Sequence, residues 1–265
     1  MPVDSLAAAL RSLQGDNPHT VEEGIDFLRA RIGGLEGADL RSAVDGLSSL
    51  FYVDTGDRPD LQPLLDRAVD ILAAQGTRVV SQLIDLMKGS DIKCHLYLAR
   101  TLGAIGPPAL AALRRAIATE EDPYSRSFAL FAVGKVRDPD VRETLPEVMG
   151  SLFHPDKEVR DSAARALGKI AEVVPAGLLT TERRAELFDA LFRALSDLQP
   201  PVRAKAVRSL GKLARAGYLT PDQGQRLRAA VLKLLGEDEA HEWDRAYIVR
   251  REAEEALRHL GLRKS

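Results

Sequence analysis

Residues 156–170 read DKEVRDSAARALGKI, and this stretch decides the fold of the chain. At a helical period of about 3.6 residues its apolar side chains share one face. They are Val159, Ala163, Ala166, Leu167 and Ile170. The charged residues Asp161, Arg165 and Lys169 fall on the opposite face. The stretch therefore predicts one amphipathic helix, with small residues where a neighbouring helix comes close.

The same pattern recurs along the chain. An equivalent segment begins at Val202, 43 residues after Val159, and further copies begin at Asp91, Asp122 and Val249. Each copy follows a second helix with apolar periodicity, and two of these leading helices match each other at an offset of 40 residues. Helix pairs that repeat every 30 to 47 residues or so indicate a solenoid. The sequence thus predicts an all-α fold, an α-solenoid of about seven stacked antiparallel helix pairs.

The repeats resemble HEAT repeats. Residues 145–152 are similar to the leading helix of that family, His154-Pro155-Asp156 to its turn, and Val159-Arg160 to the start of its second helix. The resemblance extends roughly from residue 77 to residue 262. It implies the helical solenoid fold, but a fold of this kind does not by itself imply a particular function.

The resemblance also implies a ladder of ion pairs between repeats, formed by an acidic residue six positions before the arginine of each second helix. The pairs expected here are Glu120 with Arg126, Asp197 with Arg203, and Asp244 with Arg250. His154 occupies the acidic position before Arg160, and Gly89 the one before His95. We therefore expect the ladder to be interrupted at these two junctions.

The N-terminal part of the chain departs from the repeated pattern of residues 156–170, which we call the template. Residues 1–76 hold four amphipathic helices that lack the repeated residues, and residues 77–265 hold the regular helix pairs. Terminal repeats of a solenoid are often atypical because their outer face meets water. We predict one continuous solenoid in which residues 1–76 are degenerate capping pairs; a separate N-terminal domain is the alternative.

The net formal charge of the chain is −2, and the charged residues are distributed unevenly along it. Residues 1–150 contain 16 Lys and Arg against 22 Asp and Glu, whereas residues 151–265 contain 21 against 17. The regular repeats are therefore the basic part. No apolar run of about 18 residues exists and the N-terminus lacks a signal-peptide pattern, so we predict a cytoplasmic protein with no membrane association. The single cysteine, Cys94, is predicted to be a buried apolar residue.

The sequence offers no evident catalytic, metal or cofactor site. The histidines are scattered, and carboxylates such as Asp156 and Asp161 are expected to face solvent or cap helices. The HEAT-like deoxyhypusine hydroxylases use several His-Glu pairs to hold iron, and only His241-Glu242 is similar. Bilin lyase subunits share such repeats, but nothing here marks a chromophore site. HEAT-like DNA glycosylases use a basic face with aromatic residues, which are few here.

Two rows of basic residues appear when the second helices are overlaid. The first row, six residues after the Val159 position, holds Arg100, Phe131, Arg165, Arg208 and Glu255, and the second, four residues later, holds Ala104, Lys135, Lys169, Lys212 and His259. Each row is basic across three repeats. Both rows lie on the side of each helix away from its apolar face, which in this family usually lines the concave surface. The predicted partner-binding site consists of Arg100, Phe131, Lys135, Arg165, Lys169, Arg208 and Lys212, although a row of charges is often only a solvated helix face.

The sequence favours a noncatalytic HEAT-repeat scaffold or adaptor that binds an acidic segment of a protein partner on this basic face. No cofactor and no small-molecule substrate are expected. One alternative is nucleic-acid binding through phosphate contacts, which the negative overall charge disfavours. The other is an enzyme of the lyase or DNA-glycosylase kind, which would need a pocket with convergent polar groups.

Overall fold

The computed structural model describes residues 3–237 and 243–261. Within these residues every regular element is helical, with 14 α-helices joined by short 3₁₀ segments and turns. Helices pack in sequential pairs, so the predicted all-α solenoid of about seven helix pairs is confirmed. The chain forms two compact units, one ending at Leu113 and the other beginning at Arg114. The predicted boundary between residues 76 and 77 stays a prediction.

The first unit is built from six helices and the start of a seventh. They are α1 (Leu6–Ser12), α2 (Pro18–Arg31), α3 (Gly37–Ser49), α4 (Gln62–Ala73), α5 (Thr77–Leu86), α6 (Ile92–Ile105) and α7 (Pro107–Thr119). The even-numbered helices pack in a row, α2 on α4 and α4 on α6, while α1, α3 and α5 cover them. Cys94, on α6, is buried as predicted.

The second unit takes in the end of α7 and seven further helices. These are α8 (Pro123–Val133), α9 (Leu145–Ser151), α10 (Lys157–Val173), α11 (Thr181–Arg193), α12 (Pro200–Arg215), α13 (Pro221–Leu235) and α14 (Tyr247–His259). Here α8 packs on α10, α10 on α12 and α12 on α14. The residues that the opening stretch assigns to the apolar face of α10 are all buried.

Helix starts follow the local chemistry that the sequence predicts. Pro107 and Pro200 are the first residues of their helices, where the missing proline N–H leaves no hydrogen bond unmade. Thr220 and Gln223 form a complete capping box at the start of α13. Pro146 lies in the first turn of α9, after a 3₁₀ segment, so it begins this helix and does not kink it.

Close contact between successive second helices depends on a glycine. A Cβ atom placed on Gly168 of α10 would lie 2.9 Å from Ser209 Cβ and 3.1 Å from Ser209 Cα on α12. The Ser209 hydroxyl donates a buried hydrogen bond of 2.7 Å to the Ala164 carbonyl, which holds the two backbones at this distance. The glycine in the repeated pattern is thus a packing requirement of the α10–α12 interface.

Candidate binding groove

The ion-pair ladder links consecutive repeats in the second unit. Arg160 donates to the Asp197 carboxylate from Nε at 2.6 Å and from Nη2 at 3.1 Å. One repeat later, Arg203 contacts Asp244 in the same bidentate way, at 2.7 and 2.9 Å. All four side chains are largely buried. These two-point contacts fix the spacing of the turns that precede α10, α12 and α14.

The expected ion pairs within each repeat are wrong, because each arginine contacts the main-chain carbonyl of the residue six positions earlier and not a carboxylate there. Six residues before each arginine lies a main-chain carbonyl that the guanidinium reaches, at 2.8 Å from Arg203 to Asp197 and at 2.7 Å from Arg250 to Asp244. Arg126 likewise donates to the Glu120 carbonyl. The carboxylates of Asp197 and Asp244 point toward the preceding repeat, because their own arginine already occupies the turn.

Because the arginines pair with the following repeat, the ladder is interrupted at a different junction from the one expected. Arg160 was expected to lack a partner because His154 precedes it, yet it pairs with Asp197 of the following repeat. His154 instead stands where a carboxylate would serve Arg126. The other expected interruption falls at His95, which is fully buried, with its ring nitrogens 2.5 Å from the carbonyl oxygens of Asp91 and Met87.

A groove of about 320 Å³ lies over α8, α10 and α12, all in the second unit, and we call it the basic groove. Its apolar floor includes Leu130, Phe131 and Ala166. Seven cationic side chains line it, namely Lys135, Arg137, Arg165, Lys169, Lys205, Arg208 and Lys212. None of its lining residues carries a carboxylate. Leu130 and Ala166 are buried, so the groove presents the partly exposed Phe131 ring surrounded by positive charge.

Six of the seven predicted site residues line this groove. They are Phe131, Lys135, Arg165, Lys169, Arg208 and Lys212. The seventh, Arg100, belongs to the first unit and forms an ion pair with Asp66 of α4. That the groove lies on a concave face stays a prediction.

Phe131 joins the apolar floor to the cations. The Lys135 ammonium lies 4.8 Å from the centroid of its ring, and the Arg165 guanidinium lies 5.8 Å from it. Both distances are within the range of cation–π attraction. The ring thus helps to hold two of the cations over the groove.

Carboxylates that do not line the groove hold three of its cations. Glu172 of α10 accepts from Lys169 and Lys212, each at 3.0 Å. Although burial would raise its pKa, hydrogen bonds from these two lysines lower the pKa of Glu172. Glu252 of α14, which is buried, accepts a bidentate contact from Arg208. These cations are therefore fixed in position and partly neutralised.

Sequence reasoning missed Lys205, Arg137 and the role of Asp161. Lys205 lies three residues before Arg208 and therefore shares its helix face. The overlay of the repeats did not reveal it, because the other repeats have no cation at the equivalent position. Asp161 is half-buried and not solvent-facing as expected, and burial raises its pKa against the attraction of Lys205 and Arg165. Asp156, by contrast, caps α10 as expected.

No candidate metal site emerges within the described ranges, where no three His, Cys, Asp or Glu side chains come together suitably. His241 and Glu242, the pair with some likeness to an iron site, lie outside the described residues. No helix in the described part of the chain is both long enough and apolar enough to cross a membrane.

Comparison with known proteins places the repeats in a family. A family described as HEAT repeats matches residues 110–180, and one described as a HEAT-like repeat matches residues 158–213. Their combined span contains the ladder arginines Arg126, Arg160 and Arg203. No curated protein sequence matches the chain. Residues 110–213 are therefore HEAT repeats.

Solved structures show the same fold at low sequence identity. Importin beta matches with a TM-score of 0.62 and 15% identity, over 96% of this chain and 36% of importin beta. The complex of CpcE and CpcF of phycocyanin lyase from Nostoc sp. PCC7120 matches with a TM-score of 0.54 and 18% identity. That match covers 67% of this chain and 97% of the other. Both are similar to this chain in fold alone.

Proposed function

We propose that the protein is a noncatalytic cytoplasmic scaffold whose basic groove binds an acidic segment of a protein partner. HEAT-repeat solenoids are typically protein-binding scaffolds. The observation that carries the proposal is the groove itself, which has seven cations, no lining carboxylate and an apolar floor. Fold maintenance requires the buried faces of α8, α10 and α12, but it does not require one sign of charge on the opposite faces.

Burial of the lysines supports a binding role over a merely solvated surface. The Lys212 side chain is only 14% exposed, and burial lowers its pKa although Glu172 accepts a hydrogen bond from it. The ion pair with Glu172 does not fully offset this loss of hydration, so a further anion in the groove would stabilise the Lys212 ammonium. The alkyl stems of the lysines add apolar surface beside Phe131.

Nucleic-acid binding is less well supported by the groove. Phe131 is the groove's aromatic residue, and its ring is engaged by Lys135 and Arg165. A lyase or glycosylase activity would require convergent acid and base groups, and no carboxylate lines the groove. These observations favour a protein ligand.

The design of charge-reversal variants must respect the ion pairs. Lys169 and Lys212 pair with Glu172, and Arg208 pairs with Glu252, so reversing any of these three cations would bring two carboxylates together and destabilise the fold. Arg137 and Arg165 have no carboxylate within salt-bridge distance in the described part of the chain, and they are the residues to reverse.

Fluorescence anisotropy with a labelled oligoglutamate peptide tests the proposal on the full chain. We expect binding that weakens about tenfold in the variant Arg137→Glu/Arg165→Glu, with a steeper loss at low salt. The matched control, Arg115→Glu/Arg228→Glu, reverses two exposed arginines that lie outside the groove and have no ion pair among the described residues, and it should bind like the wild type. A labelled random-sequence DNA duplex serves as the rival probe. The proposal fails if the duplex binds and the peptide does not.

A further inference from the structure

Three cations inside the basic groove form a distinct group, which we call the cationic cluster. Arg165 projects from α10, and Lys205 and Arg208 project from adjacent turns of α12. Burial lowers the pKa of Lys205, and repulsion by Arg165 and Arg208 lowers it further. The Lys205 ammonium therefore lies close enough to both arginines to be destabilised by them.

The carboxylates near the cluster do not neutralise it from the groove side. Asp161 interacts with Lys205 and Arg165, but it is not among the groove's lining residues, and burial disfavours its ionised form. Glu252 pairs with Arg208 and is itself buried. Neither acid lines the groove, so the surface of the cluster that faces the groove can bind an anion supplied by a ligand.

A phosphoryl group suits this arrangement better than a carboxylate. At neutral pH a phosphorylated serine or threonine carries about −1.5 to −2 charges and three acceptor oxygens, whereas a carboxylate carries one charge and two oxygens. Arg165 and Lys205, together with Nη1 of Arg208, the part of that guanidinium that does not contact Glu252, offer donors to all three phosphoryl oxygens.

We propose that Arg165, Lys205 and Arg208 bind a phosphoryl group carried by a phosphoserine or phosphothreonine within the acidic segment of the protein partner. The inference rests on the proposed function and adds that phosphorylation of the partner controls binding. Lys135 and Lys169 would meet acidic residues flanking the phosphorylated residue. Phe131, which is partly exposed, would contact an apolar neighbour in the same segment.

The test uses three labelled degenerate peptide pools on the full chain, identical except for a central phosphoserine, glutamate or serine. We expect the phosphoserine pool to bind about tenfold more tightly than the glutamate pool, because charge-assisted contacts are stronger for the dianion. The serine pool should bind most weakly. Inorganic phosphate, as a competitor, should bind far more weakly than the phosphoserine pool.

Two single variants locate the contact. Lys205→Met keeps the apolar stem and removes the charge, so it should fold normally and lose about tenfold in affinity for the phosphoserine pool. Its affinity for the glutamate pool should change less. Lys157→Met, on an exposed turn of α10 outside the groove, is the matched control and should leave both affinities unchanged. Circular dichroism verifies that each variant is folded.

The outcomes separate this inference from the proposed function. Equal affinity for the glutamate and phosphoserine pools would overturn the phosphoryl site and leave an acidic-segment scaffold. Failure of all pools to bind would remove both. Inorganic phosphate binding as tightly as the phosphoserine pool, or a DNA duplex competing in a Lys205-dependent manner, would assign the phosphoryl group to another source and overturn the inference.

Discussion

The two units keep the same repeat spacing but connect their repeats differently. In the first unit, Arg78 donates to the carbonyls of Gly33 and Leu35, and Gln82 donates to that of Arg41, across separations of 41 to 45 residues. In the second unit, the ladder pairs span 37 and 41 residues. The first unit is thus tied through exposed side chains, and the second through largely buried ion pairs and close glycine contacts.

This difference shows that the period and the template serve separate purposes. The spacing of about 40 residues follows from the length of a helix pair and is kept in both units. The template residues specify how closely the second helices approach, and only the second unit keeps them in series. We therefore expect matched substitutions in the two units to have unequal effects on stability.

The largest difference is expected for the arginines that link repeats. Arg203→Ala leaves the Asp244 carboxylate, 7% exposed, without its bidentate partner and should cost about 3 kcal/mol of unfolding free energy. Arg67→Ala in the first unit removes contacts to Glu22 and Asp26, which are 48% and 58% exposed, and should cost about 0.5 kcal/mol. Urea denaturation of the full chain measures both. Equal losses would show that the ladder is no stronger than a surface pair.

Glycine substitution gives the next largest difference. Gly168→Ala places a methyl group against the backbone and side chain of Ser209 and should cost about 2 kcal/mol, because α10 and α12 must separate. Gly46→Ala in α3 meets no backbone atom, only the tips of the flexible Leu10 and Leu13 side chains. Its steric cost should be offset by the better helix propensity of alanine, to within about 0.5 kcal/mol. A Gly168→Ala variant with wild-type thermal stability would mean that α10 and α12 can part freely.

Acid should distinguish the carboxylates of the two units. Burial would raise the pKa of Asp244, but hydrogen bonds from Arg203 and the Ala246 amide outweigh it and lower that pKa. A lowered folded-state pKa contributes stability that is present above the unfolded-state pKa of about 4 and is lost as the pH falls further. Asp161, whose pKa is raised, contributes with the opposite sign and offsets part of this loss.

The variant Asp244→Asn tests this account. It should be less stable than the wild type by about 2 kcal/mol at pH 7, with the difference shrinking as the pH falls below about 4. The control is Asp54→Asn in the first unit, where the pKa is lowered by an exposed contact with Lys93. Its stability profile should overlay that of the wild type. Urea midpoints from pH 2 to pH 7 provide the measurement; a pH-independent deficit in Asp244→Asn would contradict the ion pair.

The smallest effect is expected at the helix caps, which both units share. Thr220→Ala removes the capping box of α13 and Asn17→Ala removes the side-chain cap of α2, each at a cost of about 1 kcal/mol. Because capping is local, the two losses should be similar. Thermal denaturation of the two variants checks this. A much larger loss for Thr220→Ala would show that the second unit responds as a whole to local change.

The helices and their repetition could be read from the sequence, because helical periodicity, prolines and caps are encoded within about 15 consecutive residues. The residues on the apolar face of α10 and six members of the basic groove were predicted on the same basis. A row of charges at a fixed step of a repeat necessarily falls on one face when the repeats stack. These features depend on local geometry and on the period alone.

Only the tertiary structure decided which groups pair across repeats. The sequence suggested that Asp197 serves Arg203, whereas the fold gives its carboxylate to Arg160 and its carbonyl to Arg203. It likewise attached Arg208 to Glu252 and left Lys205 half-buried beside Arg165. The physical reason is that side-chain direction and burial depend on the rotation and separation of two packed helices. Those quantities arise from contacts between residues about 40 positions apart, which no local pattern records.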